Sequence, residues 1–399
     1  MNAYTQRCLL KFGTVLVGGL VCTLCAHAQI TRLPHADTTS GNYFGTSVAL
    51  DGSRAIVGAS GEASCGVGAG AAYIFELADS TGYWHEKARL VPSDCEEGLA
   101  FGRKVALDGN VALVAGTQEY FATERSNAVY VFERNDTGNW TQTGRLTSTG
   151  HNREGPAGAA VAVHDDRILF TTAGDATRGS QLHGTAYIYE KVNGTWSLKQ
   201  RVTGSDDVST GIFGGSATLH LDRLAVAGSA YFSGRAGSVY LFESDREESW
   251  SEIARLGGIE GFFISLDLHG DELLVGQTTA GRNESGQATL FARDSTGAWI
   301  KTATLEPPTP YRKGAFGTEV ALYGDRALVV GYDEQLRLNF NVDRVVYIFA
   351  RSNGQWHYQG IIDIGEAAFG NSIDLYKQTA LIGAAGSTDA GAAYVIQIR

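Results

Sequence analysis

The sequence predicts an all-β fold, a seven-bladed β-propeller of four-stranded blades whose last blade is closed by the N-terminal strand. Three observations carry this expectation. A Phe-Gly opening followed by two short apolar runs recurs, as "FGTSVALDGSRAIVGAS" from Phe44, "FGRKVALDGNVALVAGT" from Phe101 and "FGTEVALYGDRALVVGY" from Phe316. All six tryptophans occupy one position of that repeat. The chain ends one strand short of a whole number of units.

The units start near Phe44, Phe101, Ala157, Phe213, Phe262, Phe316 and Phe369, at intervals of 57, 56, 56, 49, 54 and 53 residues. Repeats of this length, with four strand candidates apiece, are the mark of a propeller. In the first unit the strands are "TSVAL", "RAIVGA", "AAYIFEL" and "WHEKARL". A short turn follows the first strand, headed in four units by Asp51-Gly52, Asp108-Gly109, His269-Gly270 and Tyr323-Gly324. Glycine suits such hairpins because it tolerates positive φ. The second strand is apolar throughout, as in "ALVAG" and "LLVGQ", and should be buried on both faces. The third alternates around aromatics, as in "AYIFE", "VYVFE" and "VYLFE".

The fourth strand begins at tryptophan: Trp84, Trp140, Trp196, Trp250, Trp299 and Trp356, with an aliphatic residue six positions on. A ring of sugar-stacking platforms is one reading. Equal placement whatever the loop length favours packing between neighbouring sheets instead. The seventh unit holds "SIDLY", "TALIGAA" and "AAYVIQIR" and stops at Arg399, while "ITRL" at Ile30–Leu33 matches "KARL" and "TGRL". The N-terminal segment should therefore supply the missing strand, with residues 29–43 as closing strand and connector, and remove two open sheet edges.

The Phe-Gly opening followed by "VGAS", "VAGS" or "IGAA" resembles the FG-GAP repeat of integrin α-chain propellers and of many exported proteins. That resemblance implies the propeller fold and a binding or adhesion role. Its calcium-binding members carry an Asp-x-Asp-x-Asp-Gly loop after the Phe-Gly strand. This chain has only "LDGSRA", "LDGNVA", "VHDDRI", "LHLDRL", "LHGDEL", "LYGDRA" and "LYKQTA" there. Calcium takes six to eight oxygens, more than these turns offer, so the calcium sites are not carried over and no metal is assigned.

Residues 1–28 read as a signal peptide: Arg7 and Lys11, then the apolar "FGTVLVGGLVCTLCA", then Ala26-His27-Ala28 as a small-x-small cleavage site. A retained anchor and an acylated Cys22 or Cys25 are the weaker alternatives. The expected mature protein, a single domain over 29–399, is exported: secreted, at the cell surface or periplasmic. Cleavage moves the net charge from −11 to −13. Without a Lys/Arg cluster, that balance argues against nucleic acid or an anionic membrane as partner. No other segment is apolar enough to cross a bilayer, and a monomer is expected. Only Cys65 and Cys95 remain, as one disulfide or as two inert thiols. A bridge would add roughly 3–4 kcal/mol through loop closure.

Alternating strands sort the loops onto two faces. The first-to-second and third-to-fourth turns share one, and the second-to-third loops and inter-blade connectors share the other. Length and variety gather on the second face, along with all six prolines, at 34, 92, 156, 307, 308 and 310. Binding commonly sits on varied loops of a rigid scaffold. The candidate ligand-binding rings are Tyr120, Phe121, Tyr231, Phe232, Tyr311, Tyr332 and Phe340, each of which could instead staple its loop to the rim. His164, His220 and His269 occupy one repeat position, but equivalent positions on separate blades are expected to lie too far apart for a shared metal. Asn135, Asn139, Asn193 and Asn283 head Asn-x-Ser/Thr sequons.

No His-Glu-x-x-His, Gly-x-Ser-x-Gly or phosphate-binding glycine loop occurs, so no catalytic residue and no cofactor is assigned. Glu96-Glu97 and Asp206-Asp207 could serve a glycosidase, though adjacent surface acids are normally just solvated. The favoured reading is a non-catalytic binding or adhesion module for a protein or a glycan. A carbohydrate-active enzyme, with two close acids of shifted pKa at the axial pocket, and a structural surface or matrix protein remain as alternatives.

Overall fold

The computed structural model describes residues 29–37, 39–78, 82–116, 128–148, 157–173, 184–205, 212–229, 236–245, 249–261, 264–333, 344–366, 368–386 and 390–398. Every inner strand turns back through two residues, as the pairs Asp51↔Arg54, His220↔Arg223 and Tyr376↔Thr379 show. The first turn residue has positive φ, at Gly52 (φ 58) but also at Leu221 (φ 57), where a branched side chain adopts the conformation at a steric cost. These hairpins, with the loops and connectors between the other strands, build seven antiparallel sheets of four strands each. In blade 1 the strands are Phe44–Asp51, Arg54–Ala59, Ala71–Leu77 and Trp84–Leu90, from the centre outwards. Each inner strand lies against the inner strands of the blades before and after it, so the blades form a closed ring.

The Phe-Gly opening has two jobs. Its phenylalanine turns into its own blade: Phe44 meets Phe75 edge-on at 6.1 Å, Phe101 meets Tyr130 at 5.4 Å, and Phe316 meets Tyr347 at 5.1 Å. The third strand's aromatic alternation is thus the other half of the same contact. Blade 3 opens on Ala157, and there Phe170 of the second strand stacks on Tyr187 at 4.8 Å in place of the missing ring. The glycine faces the preceding blade. A Cβ on Gly58 would overlap the carbonyl oxygen of Gly102, and Gly383 meets Gly45 in the same way across the seam between blades 7 and 1. Glycine against glycine lets two backbones touch at the centre of the ring.

Apolar burial is divided among seven cores, each shared by two adjoining blades. Ile56, Ile74 and Leu90 of blade 1, for example, pack with Phe101, Val105, Leu107 and Phe132 of blade 2. A fully buried side chain of this size contributes about 1.5–3 kcal/mol. Each tryptophan joins the core between its own blade and the one before: Trp84, Trp250 and Trp299 are buried, and Trp140, Trp196 and Trp356 half-buried. They are packing residues, as their even placement suggests. The outer strand starts at the tryptophan in blades 1, 2, 4 and 5 and one residue earlier, at Thr195 and Gln355, in blades 3 and 6. Ion pairs reinforce the same boundaries, with Arg134 on Glu76, Lys191 on Glu133, Arg293 on Glu243 and Arg351 on Glu272.

The last blade is completed from the N-terminal side. Ile30–Arg32 pairs antiparallel with Ala392–Gln397, placing Ile30 opposite Ile396 and Arg32 opposite Tyr394. Leu33 N–H then donates to Ala393 O (2.9 Å), and its side chain is buried in the core between blades 7 and 1. Removing Gln29–Pro34 should lower the melting temperature by several degrees and broaden the calorimetric transition. An unchanged melt would show that this strand does not close the ring.

Candidate functional site

An inner strand has a partner on one side only, so its other edge presents backbone N–H groups to the central channel. In blades 1, 2, 3, 5 and 6, side chains of the preceding blade cover several of them. Val105 N–H donates to Ser47 Oγ (3.1 Å), Val48 N–H to Ser372 Oγ (3.0 Å) and Val320 N–H to Ser265 Oγ (3.1 Å). One level further along the channel, Leu50 N–H donates to Asp374 Oδ2 and Leu322 N–H to Asp267 Oδ2, both at 2.6 Å. At the short-turn mouth, Gly109 N–H donates to Asp51 Oδ2 (2.7 Å), Asp165 N–H to Asp108 Oδ2 (2.7 Å) and Gly270 N–H to His220 Nδ1 (3.1 Å).

At that mouth, residues in equivalent positions of neighbouring blades come into ring contact. His164 and His220 have ring centroids 4.7 Å apart, His220 and His269 4.8 Å, His269 and Tyr323 4.3 Å, and Tyr323 and Tyr376 5.2 Å. The histidines form a continuous aromatic arc with the two tyrosines. Burial, then the neighbouring His164 and His269, push the His220 pKa down to about 4. Accepting a bond at Nδ1 puts its proton on Nε2. Among the described residues, no group of three or more His, Cys, Asp or Glu is arranged to hold a metal ion.

The loop-and-connector face is built differently. Cys65 and Cys95 are joined, with Cα atoms 6.1 Å apart, tying blade 1's long loop to the connector that follows the blade. Backbone bonds zip the two segments further: Gly98 N–H to Val67 O (3.0 Å), Ala100 N–H to Gly68 O (2.8 Å) and Phe101 N–H to Ala69 O (3.0 Å). Beneath them the buried Glu62 carboxylate accepts from Tyr73 Oη (2.5 Å), Arg89 Nε (2.9 Å) and Ser64 Oγ (3.3 Å). Burial and then Glu62 drive the Tyr73 hydroxyl well above its usual pKa. Blade 2 has only part of this arrangement: burial and then Asp94 push Tyr130 up to about 12, and Arg145 Nε donates to Asp94 Oδ2 (2.8 Å), but the Tyr130 hydroxyl itself makes no hydrogen bond among the described residues.

Sequence reading passed over these arginines. In five blades a third-strand tyrosine lies directly opposite an outer-strand arginine: Tyr73 and Arg89, Tyr130 and Arg145, Tyr187 and Arg201, Tyr240 and Arg255, Tyr394 and Arg32. The signal was present in "KARL", "TGRL", "KQRV", "IARL" and "ITRL". Of the candidate ligand-binding rings, Tyr120, Phe121, Tyr231, Phe232 and Phe340 lie outside the described residues. Tyr311 and Tyr332 are half-buried and brought together by Gly314, whose N–H donates to Tyr311 O (2.9 Å) and whose carbonyl accepts from Tyr332 N–H (2.8 Å).

Two channel acids are strongly shifted. Burial, then the charge of Asp374, push Asp267 up to about 8, and burial pushes Asp374 up to about 6. Protein surrounds both carboxyls except where they border the channel. A carboxyl whose folded pKa exceeds its unfolded value near 4 binds an extra proton in the folded state, so its ionisation destabilises the fold as pH rises through that window. His220 acts oppositely, but only between about 4 and 6.5. Between pH 6.5 and 8.5 the carboxyls therefore dominate, and the melting temperature should fall as pH rises. Asp267→Asn, which keeps an acceptor for Leu322 N–H, should flatten that slope. An equal slope in both proteins would show that Asp267 does not hold its proton.

The sequence model of the FG-GAP repeat matches residues 28–75 and 84–132. No curated protein matches the chain. The matched segments cover most of blade 1 and run into the third strand of blade 2, where the contacts of Gly58 with Gly102 give the motif its structural meaning. The chain therefore carries FG-GAP repeats on a seven-bladed propeller, an arrangement consistent with an integrin α-like FG-GAP propeller.

Proposed function

We propose that this is an exported, non-catalytic binding or adhesion module that holds a protein or glycan ligand on its loop-and-connector face. The supporting observation is the contrast between the two faces. At the short-turn mouth, Asp51, Asp108 and His220 are spent on the backbone of the next blade, and all seven inner hairpins have two-residue turns. The opposite face carries the long segments, and in blade 1 a disulfide, a buried carboxylate and three backbone bonds hold one in place. Fixing a loop before binding lowers the ordering cost of association. The rings of Tyr120, Phe121, Tyr231, Phe232, Tyr311, Tyr332 and Phe340 are the proposed contacts.

A second reading draws on Asp267 and Asp374, the shifted acids expected of a carbohydrate-active enzyme. Both already accept main-chain N–H groups, from Leu322 and from Leu50 and Leu375, which favours a structural role for them. The two readings separate in one experiment. Residues 29–399 would be applied to a glycan array and to extracellular protein extracts, with calcium and with EDTA, as wild type, as Tyr311→Ala/Tyr332→Ala and as Asp374→Asn. Binding that survives EDTA and is lost in the tyrosine variant is the expected result. Glycan cleavage abolished by Asp374→Asn would establish the enzyme instead. Binding lost with EDTA would restore the discarded calcium sites.

A further inference from the structure

Blade 6 breaks the repeat on the proposed binding face. Three residues before the third-strand tyrosine position, the other blades have Gly70, Asn127, Gly184, Gly237, Gly286 and Gly391, whereas blade 6 has Arg344. At Gly70, Gly184, Gly286 and Gly391 a Cβ would overlap the carbonyl of the next blade's phenylalanine. At a second position, on the second strand facing the next blade's Phe-Gly glycine, blade 6 has Val330 where blades 1, 5 and 7 have Gly58, Gly276 and Gly383. The same shift extends its second and third strands by one pair, Tyr332 opposite Arg344, at a place where blade 1 has Ser60 and Gly70. The outer-strand arginine is also missing: Tyr347 faces Ile361, and its hydroxyl donates to Tyr332 O (3.3 Å). The cation has in effect moved from the rim to the loop face.

There the Arg344 guanidinium carbon lies 5.8 Å from the Tyr332 ring centroid, and Nε donates to the Tyr332 hydroxyl (3.3 Å). Gly314 ties Tyr332 to the connector carrying Tyr311 and the exposed Arg312 and Lys313. Pro307, Pro308 and Pro310 restrict that connector just upstream. The acids Glu319 and Asp333 border this surface. Burial raises the Glu319 pKa despite the opposing pull of Lys104 and Arg344, and Asp333 acts on the Tyr347 and Tyr358 hydroxyls, adding to the effect of burial. In a chain of net charge −11, Gly314 thus brings a connector with two exposed cations to the strand ends that carry Tyr332 and Arg344.

We propose that this surface of blade 6 and its preceding connector binds an acidic polysaccharide, with Tyr311 and Tyr332 against the sugar rings and Arg312, Lys313 and Arg344 on its carboxylate or sulfate groups. Tyrosine offers an apolar face with a polar tip, and arginine a planar fork that matches a carboxylate. The inference rests on the loop-and-connector face being the binding face.

Surface plasmon resonance on immobilised alginate, heparin, dextran and polyglutamate tests it. The protein should bind alginate, heparin or both, the pattern separating carboxylate from sulfate, and should weaken with salt and ignore dextran. Arg312→Ala/Lys313→Ala should cost about tenfold or more in affinity, as expected for lost charge-assisted bonds. Arg344→Gly restores the repeat's own residue, so it should fold normally and still lose binding, while Arg201→Ala on the rim of blade 3 should change nothing. Equal binding to dextran, preference for polyglutamate, or alginate and heparin binding untouched by Arg344→Gly would overturn the proposal and leave the binding-face reading standing. No ligand in any array or extract would remove both.

Discussion

Everything in this molecule depends on covering the inner edge of each blade. A four-stranded sheet has two open edges, and in a ring of blades one of them faces a narrow channel where a free N–H group is costly. The chain meets this with side chains lent from one blade to the next, Ser47 to Val105, Asp374 to Leu50, Asp267 to Leu322, His220 to Gly270. Each bond crosses a blade boundary, so the ring is held by its centre as well as by the seven apolar cores. The seam between blades 7 and 1 is bonded in the same way through Ser372 and Asp374. The N-terminal strand adds outer-edge closure to a ring already joined inside.

This arrangement sets the character of the two faces. Two-residue turns and residues such as Asp108 leave the short-turn mouth committed to structure. The opposite face is free to vary because its loops start beyond the last bond of the inner ladder. Carboxylates enclosed at Asp267 and Asp374 are the cost of using acids as backbone acceptors in a narrow channel, and their raised pKa values follow from that placement.

The fold was legible because its determinants repeat. Phe44, Phe101 and Phe316 with their glycines, and a tryptophan at constant distance from an aliphatic partner, report contacts that most of the blades share. The short "ITRL" segment could be placed because it copies the outer strand. The histidine arc could not be foreseen, since the gap between equivalent residues depends on the radius of the channel, which repeat length does not encode. The arginines of "KARL" and "IARL" were visible but unread, because only cross-strand register puts Arg89 over Tyr73. Tyr311 and Tyr332 stood out as loop aromatics, yet their shared surface depends on two backbone bonds through Gly314. Arg344 is conspicuous only once five of its six counterparts are seen to be glycines, four of them pressed against a neighbouring backbone.

Hydrogen–deuterium exchange resolved to single amides tests the central claim most directly. The amides of Val48, Leu50, Val105 and Leu322 lie on the unpaired inner edges of their sheets, and each is bonded to a side chain of the preceding blade. They should exchange as slowly as the amides of the fully buried second strands, such as Ile56 and Leu328. Exchange as fast as that of the outer strands would mean the blades are joined by apolar packing alone, and that the lent side chains do not close the ring.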